Sequence, residues 1–189
     1  MNNKFILLVA IFFSCSNSET ENKRDKMNEF KFQNDTLVLE RRFDFPGKEL
    51  SIVIPSDWIK EELEENTIVF RENYIDTIGF CTNLVVRTIP NKNSLNLNQI
   101  AEVFISALPE RFDTMKIIEV SDEIIKDMHF KVVDFKVLED GTHLASSTAY
   151  MLHNNNIITL YFTAENLPGG VFIEKRKLFF SMLNSMSAL

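Results

Sequence analysis

Apolar and polar residues alternate along the chain in two patterns, which predict strands and two helices. Apolar side chains recur every three or four positions over residues 97–112 and again over residues 171–186, as in amphipathic helices. Runs typical of strands occupy residues 37–45, 49–54, 67–70, 78–89, 116–125, 130–139, 142–152 and 157–164. Residues 61–65, rich in glutamate, are predicted to form a short polar turn. The predicted order is therefore ββββαββββα.

Short turn and cap motifs fix where several of these elements begin and end. Asn96, followed three residues later by Gln99, predicts a capping box at the start of the first helix, and Pro109 is expected to end or kink that helix. Asp140-Gly141 and Asn154-Asn155 are typical two-residue hairpin turns. If both form, the residue numbers of paired residues add up to 281 across the first turn and to 309 across the second.

This register places apolar side chains on both faces of the predicted sheet. One face carries Val133, Phe135, Val137, Leu144, Tyr150, Leu152, Ile157 and Tyr161; the other carries Phe130, Val132, Leu138, Ala145, Ala149, Met151, Ile158, Leu160 and Phe162. A sheet with one exposed face would alternate more cleanly. We therefore predict an α+β fold in which helices cover both faces of an antiparallel sheet, either one helix on each face or a helix and the N-terminal hairpin.

The first 29 residues have the features of an export signal followed by a spacer. Residues 5–13 form an unbroken apolar run that rises only about 14 Å as a helix, roughly half of a bilayer core. Such a run is typical of a signal peptide. Ser14-Cys15 directly after it resembles the lipobox of bacterial lipoproteins, which implies lipidation of Cys15. The alternative is a buried N-terminal strand with an ordinary cysteine.

The domain limits follow from this interpretation. Residues 1–14 are expected to be the signal peptide, residues 15–29 a flexible tether and residues 30–189 a single folded domain. The tether is polar and lacks periodic apolar positions, so it cannot form a core. Lipidation of Cys15 would leave Cys81 as the only free thiol, and the apolar sequence around Cys81 favours a buried, inert side chain over a nucleophile.

The composition excludes several classes of protein. The 20 Lys and Arg residues are outnumbered by 27 Asp and Glu residues, giving a net charge of −7, which argues against a nucleic-acid-binding protein with a basic face. Two cysteines cannot form a disulfide scaffold. The acidic balance instead suggests that a charged partner would be basic or would bind through a cation.

Motifs for catalysis, cofactors and metals are missing from the sequence, which has no Gly-x-Ser-x-Gly, glycine-rich phosphate loop, His-Glu-x-x-His or Cys-x-x-Cys. The three histidines, His129, His143 and His153, do not share a site: the register places His129 on one face, and the other two lie on the order of 30 Å apart along one strand. We therefore expect no enzymatic activity, no cofactor and no metal.

Three other features have a functional and a structural interpretation. Glu61, Glu62, Glu64 and Glu65 could attract Ca²⁺ but lack the spacing of a calcium loop, so a solvated acidic face is favoured. Gly169-Gly170 could bind an anion at the start of a helix, although a turn is more common. Trp58 could anchor a partner, but a tryptophan after a strand-ending proline more often fills a core.

Several segments together resemble the superfamily of PsbP-like photosystem extrinsic proteins, Ran-binding Mog proteins and DcrB-like bacterial lipoproteins. They extend over most of residues 43–189 and are Ile54-Pro55-Ser56-Asp57-Trp58, the strand Asn83-Leu84-Val85-Val86, the following helix to Leu108, residues 158–164 and the terminal helix ending at Ser185-Met186. The resemblance implies an antiparallel sheet between helices, and a mostly non-catalytic role in partner binding or assembly. No partner-contact residue of the superfamily maps onto this sequence.

The sequence therefore predicts a lipoprotein of the bacterial cell envelope, anchored through Cys15 in a periplasmic or outer-membrane leaflet, that binds or assembles another envelope protein. The alternative is a small-ligand carrier or an enzyme with a pocket between a helix and the sheet.

Overall fold

Ten strands and two α-helices form the part of the chain that the computed structural model describes, namely residues 39–45, 50–64, 66–73, 80–112, 114–139, 141–166 and 171–188. In chain order they are β1 (Leu39–Phe45), β2 (Leu50–Pro55), β3 (Ile59–Glu64), β4 (Thr67–Arg71), β5 (Asn83–Pro90), α1 (Leu97–Ala107), β6 (Thr114–Ile125), β7 (Met128–Glu139), β8 (Thr142–His153), β9 (Asn156–Glu165), α2 (Val171–Ser185) and β10 (Ser187–Ala188). No helix in these ranges is long and apolar enough to cross a membrane.

The strands form two antiparallel sheets. The large sheet has the order β3-β4-β5-β9-β8-β7-β6, and the small sheet has the order β1-β2-β10. Consecutive strands from β6 to β9 are neighbours, as expected for strands joined by hairpins. The predicted α+β class with an antiparallel sheet is confirmed.

The register predicted from the two turns is also confirmed. Glu139 lies opposite Thr142 and Leu144 opposite Glu165, so paired residue numbers add up to 281 and 309. Gly141, Asn154 and Asn155 have φ values of 79°, 47° and 57°, a backbone region that Gly and Asn tolerate better than most residues.

The predicted strand order was wrong at one point, because residues 59–64 form strand β3 and not a polar turn. Among the described strands, β3 lies at the edge of the large sheet and pairs with β4 alone, so its charged side chains remain in contact with solvent. Glu61 accepts from Arg71 on β4, with Nη2 2.7 Å from Oε1, and Lys60 pairs with Glu62. Because consecutive residues of β3 are charged, its sequence lacks the alternation of apolar and polar side chains that normally identifies a strand. With β3 and the short β10, the order is βββββαββββαβ.

Each face of the large sheet packs against one helix. Val133, Phe135 and Val137 point towards Ile100 and Phe104 of α1, and we call this side the α1 face. Phe130 and Val132 of the same strand belong to the opposite α2 face. There they cluster with Phe179 and Leu183 of α2 and with Ile52 and Ile54 of β2, so a helix and the β1–β2 hairpin share this face.

The ends of α1 follow the local sequence. Asn96 accepts from the backbone N–H of Gln99 at 3.0 Å, and the Gln99 side chain accepts from the Asn96 N–H at 2.9 Å, which completes the predicted capping box. Pro109 lies in a short 3₁₀ turn, Leu108–Glu110, that follows Ala107. The proline therefore ends the helix as expected, because its ring cannot continue an α-helix.

Candidate functional site

The residues singled out in the sequence do not assemble into a catalytic or metal site. His129 and His143 are exposed and His153 is half-buried. His129 pairs with Ile124 of β6, on the α1 face, whereas His143 pairs with Leu138 on the other face. Within the described ranges, no group of three His, Cys, Asp or Glu side chains could hold a metal ion.

Trp58 belongs to the core, as the structural interpretation predicted. Only 3% of it is exposed, and its indole stacks on the ring of Phe162 with centroids 6.5 Å apart. It is therefore not available as an anchor for a partner.

The second cysteine is buried, as predicted, but it is disulfide-bonded, so the expectation of a free thiol at Cys81 was wrong. Cys15, the predicted lipidation site, lies outside the described residues, as do the predicted signal peptide and tether. Glu65 and Gly169-Gly170 also lie outside them.

The clearest accessible feature is the outer edge of β6. This strand is 12 residues long and hydrogen-bonds to β7 on one side, and no described strand pairs with its other side. Three of its apolar side chains are substantially exposed: Ile118 by 48%, Val120 by 42% and Ile124 by 68%. Exposed apolar side chains on a long, unpaired edge strand are unusual, because such edges promote pairing with another chain.

A further exposed apolar side chain lies at the same end of the large sheet. Ile124 lies opposite His129 on β7, and Leu152 lies two residues beyond Tyr150, which pairs with Lys131 of β7. Leu152 is 38% exposed. We call Val120, Ile124 and Leu152 the edge patch.

The backbone geometry of the β6–β7 turn shows which groups of β6 face outwards. Lys126 and Asp127 form a two-residue turn with φ values of 49° and 66°, and Ile125 lies opposite Met128. In a hairpin of this kind the two residues that flank the turn are a hydrogen-bonded pair. Backbone groups alternate in direction along an antiparallel strand. Those of Ile125 therefore face β7, and those of Val120, Asp122 and Ile124 face away from it.

Charges on β6 lie mainly on the opposite side from the edge patch. Glu119 and Glu123 pair with Asp134 and Phe130 of β7 and so lie on the α2 face. Glu119 is 3.8 Å from the Arg176 guanidinium on α2, with 59% of its side chain exposed. The segment 119–125 thus presents Val120, Asp122 and Ile124 on the α1 face, and Glu119 and Glu123 on the α2 face. A bulge at Ile118 separates this segment from the first part of the strand.

A second feature is a group of buried hydroxyls beneath α1. Thr148 and Tyr150 of β8 and Tyr161 of β9 lie on the α1 face, with Thr148 directly opposite Tyr161. All three are at most 3% exposed. Among the described residues, the hydroxyls of Thr148 and Tyr150 have no hydrogen-bond partner, and that of Tyr161 has the Ser146 and Thr163 hydroxyls as neighbours. The ring of Phe104 lies 5.4 Å from that of Tyr150. We call these three residues the hydroxyl cluster.

Burial also changes the acidity of the two phenols. Loss of hydration raises the pKa of Tyr161 to about 12, while the nearby Ser146 and Thr163 hydroxyls and the Arg111 guanidinium lower it. Burial likewise raises the pKa of Tyr150, and the neighbouring Tyr161 raises it further. Both phenols are therefore protonated at neutral pH and can donate hydrogen bonds.

Sequence reasoning missed both features. The apolar residues of β6 were assigned to a strand, but nothing in the sequence shows which strand lies at a sheet edge. The hydroxyl-bearing positions could have been found from the predicted register, since it already placed Tyr150 and Tyr161 on one covered face.

Solved structures with the same fold include two with clear similarity. The solution structure of cyanobacterial PsbP (CyanoP) from Synechocystis sp. PCC 6803 has a TM-score of 0.62 and 13% identity, covering 79% of this chain and 92% of that one. The Ran-binding protein Mog1p of Saccharomyces cerevisiae has a TM-score of 0.56 and 8% identity, covering 78% and 94%.

A crystal structure from Bacteroides thetaiotaomicron VPI-5482 matches 80% of this chain with 18% identity and a TM-score of 0.49, and the chain spans about half (49%) of that protein. No protein-family model and no curated protein matches the sequence. Identities this low establish the fold alone, and on that basis the chain has the PsbP/Mog-like α+β fold.

Proposed function

We propose that this protein is a non-catalytic module of the bacterial cell envelope that binds another envelope protein through the edge patch. The observation that supports this most directly is the exposure of Val120, Ile124 and Leu152 around the free edge of β6. Exposed apolar side chains beside an unpaired strand edge favour pairing with another chain, and here Asp122 and His129 lie among them on the same face. The net charge of −7 makes a basic partner the best electrostatic match.

Two further observations are consistent with this role. One protein of the same fold, Mog1p, is described as Ran-binding, so the fold is compatible with protein recognition. The features of residues 1–29 support export, which would place the domain in the periplasm or at the outer membrane. They also support a lipid on Cys15, on the condition that the thiol of Cys15 is not paired with Cys81, the other cysteine of the chain.

The test is crosslinking in cells followed by mass spectrometry, using the full chain. Ile124→Glu places a charge in the edge patch and should remove a reproducible basic envelope protein from the crosslinked products. Ile173→Glu is the matched control, because Ile173 on α2 is also an exposed isoleucine, at 62%. If both variants give the wild-type products, the edge patch is not the binding surface.

The hydroxyl cluster supports a second candidate function, binding of a small neutral molecule. Two buried hydroxyls without partners in the described part of the chain, those of Thr148 and Tyr150, cost about 1–3 kcal/mol each unless something accepts their hydrogen bonds. A small molecule bound beneath α1 would need oxygen atoms that accept hydrogen bonds from the phenols and an apolar part that packs against the ring of Phe104.

Phenol and benzene are suitable probes, because they share a ring and differ in the hydroxyl. If the cluster is a binding site, phenol should raise the melting temperature of the wild type, and Tyr150→Phe should reduce that effect while leaving the response to benzene unchanged. A Tyr150→Phe variant that is more stable than the wild type, in a protein that does not respond to phenol, would exclude this function.

A further inference from the structure

The outer edge of β6 has the features of a docking site for an extended strand. β3, at the other edge of the large sheet, is protected in the usual way, since it is six residues long and bears Lys60, Glu61 and Glu62. β6 also bears three charged residues in the segment 119–125, but it is twice as long, has no proline there and exposes Val120 and Ile124 beside these charges. Its bulge at Ile118 protects only the part of the edge around that residue.

We propose that an extended segment of the partner protein adds to the sheet as an antiparallel strand beside residues 119–125, with apolar and basic side chains in alternation. This inference rests on the proposed function, because it specifies how the partner uses the edge patch. Strand addition derives affinity from main-chain hydrogen bonds and specificity from alternate side chains.

The geometry of β6 determines which partner residues face which side. The backbone groups of Val120, Asp122 and Ile124 point outwards, so the partner residues bonded to them lie directly opposite. Paired residues in antiparallel strands project to the same face, which here is the α1 face with Val120, Asp122 and Ile124. The partner residues opposite Val120 and Ile124 should therefore be apolar, and all three should direct their own N–H groups towards β6.

The intervening partner residues project to the α2 face. There they meet Glu119 and Glu123, whose carboxylates favour Lys or Arg as neighbours. The preferred segment thus alternates Val or Ile with Lys or Arg. A segment of the same pattern with Glu in place of Lys would bring like charges together.

The experiment measures fluorescence anisotropy of a labelled peptide in which Val and Ile alternate with Lys, titrated with the protein. We expect saturable binding, at least tenfold weaker for the peptide with Glu in place of Lys. N-methylation of the Val and Ile residues should weaken binding at least tenfold. N-methylation of the Lys residues should have little effect, because their N–H groups face away from β6.

Variants of the protein test the same main-chain hydrogen bonds by changing β6 instead of the peptide. Asp122→Pro removes an outward N–H and should abolish peptide binding, whereas Asp122→Ala keeps that N–H and should bind the peptide. Both variants lose the contact between Asp122 and Lys131, in which 76% of the aspartate side chain is exposed. The loss of this contact therefore affects the two variants equally. The methylated peptides provide the test if Asp122→Pro does not fold.

Three outcomes would overturn the proposal that a segment of the partner protein adds as a strand beside β6. One is equal binding of the two methylated peptides, and another is absence of binding by any peptide. The third is concentration-dependent dimerisation in analytical ultracentrifugation that Asp122→Pro removes, since the occupant would then be a second copy of this chain. If Ile124→Glu still removes the crosslinked envelope protein in those cases, the proposed function stands and only the mode of binding is wrong.

Discussion

Arg176 on α2 and Asp134 on β7 form an ion pair that joins the helix to the sheet. The guanidinium Nε and Nη2 lie 2.9 and 2.7 Å from Oδ2 of Asp134. The other carboxylate oxygen, Oδ1, accepts from the Ser147 hydroxyl at 2.5 Å. Only 5% of the Asp134 side chain is exposed, so its charge depends on these two partners.

Removal of Arg176 should therefore destabilise the domain. Arg176→Ala leaves a buried carboxylate without its cation, and we expect a loss of about 3 kcal/mol in the free energy of unfolding, measured by urea denaturation. Lys177→Ala is the control, because Lys177 pairs with Glu174 on the exposed side of α2 and should cost less than about 0.5 kcal/mol. Equal losses for the two variants would show that the buried ion pair is energetically unimportant.

Both faces of the large sheet should contribute to stability. Phe135 lies on the α1 face and Phe162 on the α2 face, and both are fully buried. Replacement of either by Ala should cost about 3–5 kcal/mol, because each leaves a large cavity in a packed core. Chemical denaturation of the two variants gives the comparison. A near-neutral result for one of them would mean that its face is not a true core.

Stability should fall at alkaline pH because of the buried phenols. The pKa of Tyr161 is about 12 in the folded protein against 10.0 for an exposed tyrosine. The unfolded chain therefore releases a proton first, and the stability present below pH 10 declines as the pH rises from 10 through 12. For Tyr161 the decline is about 3 kcal/mol.

Urea denaturation of the wild type and of Tyr161→Phe between pH 8 and pH 12 measures this contribution. The variant should lose less stability than the wild type over the alkaline part of the range, since it has no phenol to ionise at that position. Parallel curves for the two proteins would contradict a raised pKa at Tyr161.

Lipidation of Cys15 is the prediction that bears most on location. Cys15→Ala should accumulate as unprocessed precursor and should not be labelled by a fatty-acid analogue, whereas Cys81→Ala should be processed and labelled normally. Mass spectrometry of the mature protein shows whether the sulfur of Cys15 carries a lipid. The chain has two cysteines, so a lipid on the sulfur of Cys15 excludes an intrachain disulfide at Cys81. Labelling of Cys15→Ala would rule out the lipoprotein assignment.

The comparison of sequence and structure is instructive at particular residues. Asp140-Gly141 and Asn154-Asn155 defined the register of three strands, since a two-residue turn admits one pairing. Residues 59–64 were misassigned, because an edge strand with Lys60, Glu61 and Glu62 lacks the apolar alternation of a buried strand. Asp134 and Arg176 were overlooked, because their pairing joins residues 42 positions apart in the chain.

Local chemistry was sufficient for the helices, the hairpin turns, the faces of the central strands and the fold class, because caps, turns and periodicity act over a few neighbouring residues. The tertiary structure alone decided which strands lie at the edges of the sheet, that Trp58 stacks on Phe162, and that Thr148, Tyr150 and Tyr161 share a buried region. These properties depend on contacts between distant segments, and a residue's exposure is known only once its neighbours are in place. The edge patch is therefore a property of the assembled sheet, although each of its residues is plainly apolar in the sequence.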